Sequence, residues 1–88
     1  MNLNDTVRVL KQNVENTTES YLECYGLKEK FSSIKQKAEQ ALQKQGVLQY
    51  FNALMDGTVD EVAAQTNRSN DDIHDEFLEY YNKRDKKP

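Results

Sequence analysis

Tryptophan is absent, proline occurs only as the last residue, and the chain has a single cysteine and three glycines. Each shortage excludes something. A lone Cys24 cannot close an internal disulfide, which removes the disulfide-stapled small folds and suits a reducing cytoplasm. No apolar run approaches the roughly 20 residues that a membrane-spanning helix needs. The N-terminus also lacks the apolar stretch of a secretory leader, so the expectation is a cytoplasmic protein with no membrane partner. No glycine-rich phosphate loop is present. No strand-like alternation, internal repeat or low-complexity tract stands out either. With 36% hydrophobic residues among 88, the core is thin, and burial against a partner or a homodimer is one way to complete it.

What is there reads as helix. The expected fold is all-α, a single helical domain over residues 1–82 followed by a basic tail at 83–88. It is a small bundle of four to five helices ending in a helix-turn-helix-like pair. Gly26, Gly46 and Gly57 each follow a segment of helical periodicity and are expected just past helix ends. In the first segment Leu3, Val7, Leu10, Val14, Thr17, Tyr21 and Cys24 alternate steps of four and three, a heptad seam that would bury Cys24. The second segment continues with Leu27, Phe31, Ile34, Ala38 and Ala41. The two are expected to pack as an antiparallel hairpin over 4–45, the competing arrangement being one long helix that dimerises. A linking helix over about 47–56 presents Val47, Leu48, Phe51, Leu54 and Met55 on one apolar face.

Residues 58–82 form the last unit. Thr58 with Glu61, and Ser69 with Asp72, each place a hydroxyl at a helix start and a carboxylate three residues on. Asn67 sits at the turn, where it tolerates the left-handed conformation. Val62 and Ala63 would face the partner helix, and Ile73 and Phe77 would supply the buried stripe of the second. Over about twenty residues this pattern resembles the helix-turn-helix of bacterial and phage repressors. Two positions depart from it: Arg68 and Glu76 stand where such units usually bury apolar side chains. The second helix also carries Asp71, Asp72, Asp75 and Glu76 where a groove-reading helix needs lysine and arginine, which leaves Asn70 and His74 flanked by carboxylates.

Charge is unevenly spread. Arg8 and Lys11 against Asp5, Glu15, Glu19 and Glu23 leave residues 1–25 at −2, residues 46–88 carry −4, and residues 26–45 carry +3, giving the total of −3. Lys30, Lys37 and Lys44 recur every seventh residue, with Lys28 and Lys35 alongside. The resulting basic line is about 20 Å long at a helical rise of ~1.5 Å per residue. Lys83, Arg84, Lys86 and Lys87 add a basic end. Together these could hold phosphates without reading bases, unless Glu29 and Glu39 neutralise the line.

The stretch 25–54, with Ile34-Lys35, Lys37-Ala38, Leu42 and Phe51-Asn52-Ala53-Leu54, is similar to the small acidic double-stranded DNA-binding proteins of T-even-type phages. That resemblance implies an accessory, phage- or prophage-encoded protein that associates with duplex DNA or a transcription complex. From the charge pattern, the nucleic-acid-binding candidates are Lys28, Lys30, Lys35, Lys37, Lys44, Lys83 and Arg84. The alternative is a protein-interaction module, an adaptor or inhibitor that docks Asp71, Asp72, Asp75 and Glu76 on a basic surface.

Enzymatic chemistry is not expected. Cys24 and His74 form no positioned set with tuned acidity. His74 with Asp71, Asp72 and Asp75 on one helix makes a poor metal site, and neither a metal nor a cofactor is expected. Phe77, Leu78, Tyr80 and Tyr81 could stack on single-stranded bases. Phe77 and Tyr81 are four apart on one face, next to Leu78, so the cluster is better read as closing the core, with the tyrosine hydroxyls reaching water.

Overall fold

The computed structural model describes residues 3–85, with side chains described for 5–84. It contains α1 (Leu3–Cys24), a 3-10 turn (Lys28–Lys30), α2 (Phe31–Gln45), α3 (Val47–Thr66) and α4 (Asn70–Asp85), and the described residues include no strand. The all-α bundle expected from the sequence is the fold observed. Lys86 and Lys87 of the basic end lie outside the described residues. Lys83 and Arg84 continue α4 instead of starting a separate tail.

Three of the helix junctions follow from local chemistry. α1 ends at Gly26, whose φ of 71° lets the Leu27 amide donate back to the Leu22 carbonyl at 2.9 Å. Both leucines of that closure are buried, the hydrophobic contact that such a left-handed stop favours. α2 ends at Gly46, with φ 101° and ψ −175°, a region that only glycine visits easily. α3 ends at Asn67 in the left-handed conformation, φ 57° and ψ 35°, and the Arg68 amide reaches the Ala63 carbonyl at 3.3 Å. Two residues later the Ser69 hydroxyl accepts the Asp72 amide at 3.2 Å and starts α4. Replacing Ser69 by alanine should therefore cost about 1 kcal/mol, measured as a lower urea midpoint with an unchanged slope.

Gly57 is the exception, and it changes the architecture. α3 runs unbroken through it, so the separate linking helix over 47–56 and the helix start at Thr58 are not formed. Thr58 is fully buried in mid-helix and its hydroxyl donates to the Leu54 carbonyl at 2.7 Å, a back-bond instead of an N-cap. A helical glycine costs about 1 kcal/mol. That penalty is offset because a Cβ on Gly57 would lie 3.0 Å from Ile34 Cγ2: the missing side chain is the space into which α2 packs.

The expected α1–α2 hairpin is corrected too. α2 packs chiefly on α3, and α1 crosses both α3 and α4. Tyr50 of α3, fully buried, donates its hydroxyl to Glu15 of α1. Around it Lys11 bridges Glu15 at 3.0 Å and Glu39 of α2 at 2.9 Å, with its ammonium 4.8 Å above the Tyr50 ring. An aromatic ring and a charged cluster thus occupy the seam that a hairpin would have filled with aliphatic side chains. Burial works against the Glu15 carboxylate, but hydrogen bonds from Tyr50 and Lys11 outweigh it and hold its pKa below the usual range.

The heptad seam of α1 drifts for a geometric reason. A straight helix turns about 20° per heptad away from a strict seven-residue repeat, so with the buried face following Thr17, Thr18, Tyr21 and Leu22, Cys24 one heptad past Thr17 turns outward; Leu10 is exposed as well. Cys24 is therefore exposed, not buried as its place in the repeat suggested. On α4, Ile73 and Phe77 are buried, as are Val62 and Ala63 facing them from α3. Phe77 stacks on Tyr21 with centroids 4.9 Å apart and planes 11° from parallel. Phe77 closes the core at this point and presents no ring face for a base, and Tyr80 packs against that core with its hydroxyl on Ser20, whereas Leu78 is exposed.

Candidate nucleic-acid interface

Among the seven basic candidates, four share one state. Lys28 and Lys30 on the 3-10 turn, and Lys37 and Lys44 on α2, are exposed, and none of them forms an ion pair among the described residues. Their freedom follows from where the nearby acids point. Glu39, expected to neutralise the line, is turned to Lys11 on α1, whose ammonium donates to it at 2.9 Å. Lys35 differs: it is half-buried and 3.9 Å from Glu15, inside the cluster that holds α1 to α2. Lys83 pairs with Glu79 one turn earlier at 3.1 Å, both well exposed, a weak contact that leaves its charge largely solvated. Arg84 donates from Nη1 to Ser20 Oγ of α1 at 3.2 Å, so it belongs to the α1–α4 seam and not to the α2 line.

The acidic candidates also divide. Asp71, Asp72 and Asp75 are exposed near the start of α4, where Asp71 and Asp72 favour the positive end of the helix dipole. Asn70, flanked by those carboxylates in sequence, donates to Asp60 of α3 at 2.7 Å. Beside that contact a depression between α3 and α4 is lined by Asp56, Val59, Asp60, Asn70, Asp71 and His74. Phosphates approaching this face would meet carboxylates from two helices. Among the described residues, no group of three or more His, Cys, Asp or Glu side chains is arranged to hold a metal ion.

Glu76 is not a free acidic contact. Tyr21 donates its hydroxyl to Glu76 Oε1 at 2.5 Å, Tyr25 donates to the same oxygen, and Arg68 donates to Oε2 at 3.0 Å. Hydrogen bonds from Tyr21 first, then Tyr25, hold the Glu76 pKa below the carboxylate range despite partial burial. Burial, and then the facing carboxylate, push the Tyr21 hydroxyl strongly upward. The two departures from the repressor-like pattern, Arg68 in the turn and Glu76 on the second helix, thus pair with each other and tie the α3–α4 unit to the end of α1. Opposite charges eight residues apart across a turn were the available signal. The tyrosines that complete the group come from the far end of the chain and carry no local sign of it.

The structure thus defines a small all-α bundle with four exposed lysines on the 3-10 turn and α2 that form no ion pair among the described residues, and a carboxylate-lined cleft between α3 and α4. In comparisons with known proteins, no family model, no curated protein and no solved structure matches the chain.

Proposed function

We propose that this chain is a small non-enzymatic DNA-associated protein, phage- or prophage-encoded, that contacts duplex phosphates through Lys28, Lys30, Lys37 and Lys44. In that role it acts as a transcription accessory or regulator. The observation that carries the reading is the exposure of these four ammonium groups without ion-pair partners among the described residues. Compact ammonium groups on long stems suit a backbone-tracking contact that carries no base information. The acidic cleft between α3 and α4 turns that face away from DNA, so α4 does not enter the groove. The phage origin and transcriptional setting rest on the resemblance of residues 25–54.

Titration of random duplex in a mobility-shift assay tests this directly. The wild-type chain should shift DNA at low salt and release it as salt rises. The combined K28Q, K30Q, K37Q and K44Q variant should lose the shift, or retain one whose log–log salt slope is smaller by about 3 to 4. Absence of any shift at micromolar protein and low salt, or an unchanged slope in the variant, would rule the reading out.

One observation favours a second reading, a protein-interaction module with duplex DNA playing no part. Asp71, Asp72 and Asp75 are exposed beside Asp56 and Asp60 of α3 and could dock on a basic protein surface. Converting Asp71, Asp72 and Asp75 to asparagine should then abolish capture by a basic transcription factor while leaving the fold unchanged, whereas DNA binding through the lysines would persist or strengthen.

A further inference from the structure

Arg84 stands on the last turn of α4, facing α1, and its guanidinium donates to one hydroxyl. Nη1 donates to Ser20 Oγ at 3.2 Å, and Ser20 Oγ is 2.5 Å from the Tyr80 hydroxyl. No carboxylate pairs with Arg84 among the described residues. Next to it a cavity of about 160 Å³ opens between the helices, lined by Asn13, Asn16, Thr17, Tyr81 and Arg84. None of the five is acidic, and each carries a group able to donate a hydrogen bond: two carboxamides, two hydroxyls and the guanidinium. The depression has room for a phosphoryl group and opens to solvent, so whatever the phosphate is esterified to can lie outside it.

We propose that this cavity is a phosphate-binding site, taking a phosphate monoester group between α1 and α4. A guanidinium offers a planar fork that matches two phosphate oxygens at once. Here Ser20 sets its orientation in advance, which reduces the ordering cost of binding. Asn13 and Asn16, one turn apart on α1, line the same depression and carry amides that could serve the oxygens the fork leaves. The carbonyl end of α4 opposes an anion with about half a charge. The full charge of Arg84 exceeds that, so the site binds weakly, with Kd on the order of millimolar. It is separate from the lysine face on α2 and does not depend on the DNA-association reading.

The test is a titration of the full chain followed by amide and Arg Nε–H nuclear magnetic resonance. Inorganic phosphate is compared with chloride at matched ionic strength. Saturable shifts should centre on Asn13, Asn16, Tyr81 and Arg84 with phosphate and be missing with chloride. R84Q should weaken the response at least about tenfold, and R84K should fall between, because a point charge replaces the fork. N16D, which places a carboxylate in the cavity, should abolish it. Two further arms distinguish the source of the phosphate: a 5′-mononucleotide, and short duplexes with and without a 5′-phosphate. The K28Q, K30Q, K37Q and K44Q variant should keep the cavity response, so failure of DNA association and failure of this site are read separately. No saturation by tens of millimolar phosphate, an equal response to chloride, shifts centred on the α2 lysines, or an unchanged response in R84Q would each overturn the proposal.

Discussion

Replacing Glu76 by alanine should destabilise the chain by about 2 to 3 kcal/mol, among the largest single-residue effects in the molecule. The carboxylate accepts from Tyr21, Tyr25 and Arg68 together, and hydrogen bonds to a charged acceptor are worth roughly 1.5 to 3 kcal/mol each when well buried. Its side chain is about one-third exposed, so solvent screening reduces the sum. What remains comes mainly from Tyr21, which is buried and would lose its acceptor. Glutamine should lose about half as much, since its carbonyl can still receive one tyrosine while the charge is gone.

The pH dependence gives the same contact a second signature. Glu76 and Glu15 both have folded pKa values below their ordinary 4.5. The unfolded chain therefore takes up protons first as the solution is acidified. Their contribution is fully present above the unfolded value and is lost as pH falls from there through the folded values. Urea unfolding followed by circular dichroism should show stability declining below about pH 4.5, less steeply in E76Q than in wild type. Equal slopes would show that Glu76 is not held ionised by its neighbours.

Gly57→Leu should cost about 1 to 2 kcal/mol net, despite placing a strong helix former in the middle of a helix. Propensity alone favours the change by up to about 1 kcal/mol. Against this, even the first added carbon lies 3.0 Å from Ile34 Cγ2 and 3.3 Å from its Cγ1, and the rest of the side chain must force α2 off α3. Overpacking of that kind costs about 1 to 3 kcal/mol and sometimes more, so the steric effect wins. At roughly 4 to 8 °C per kcal/mol for a domain of this size, the melting temperature should fall by about 10 °C. Adding Ile34→Ala should recover part of the loss, a coupling detectable in a double-mutant cycle. A G57L variant at least as stable as the parent would mean that α2 does not use this gap.

Local signals and tertiary packing contributed differently to what could be read in advance. Helical class was visible because apolar residues recur at helical spacing on every segment. Asn67 and Ser69 marked the α3–α4 turn because their conformations and caps are settled by residues within four positions. Ile73, Phe77, Val62 and Ala63 were recognisable as core by the same logic. Gly57 looks like a terminator in the sequence because glycine at a helix end and glycine in a helix crossing are alike in one dimension. Ile34, twenty-three residues away, decides between them. Cys24 was misplaced because a repeat of seven and a turn of 3.6 diverge over two heptads.

The candidate site divides along the same line. That lysines cluster between residues 26 and 45 is a property of the chain itself, and so is the acidity of the segment after Ser69. Which of those charges remain available is not, because an ion pair is chosen by distance and burial in the folded state. Folding takes Lys35 and Glu39 into contacts with α1, gives Glu76 to two tyrosines and an arginine, and leaves Lys28, Lys30, Lys37 and Lys44 facing water. Composition and periodicity by themselves determined an acidic all-helical chain with one basic segment. Only the crossing of α1 over α3 and α4 decided which charges hold the bundle together and which are left for a partner, because that crossing brings together residues up to sixty-four positions apart.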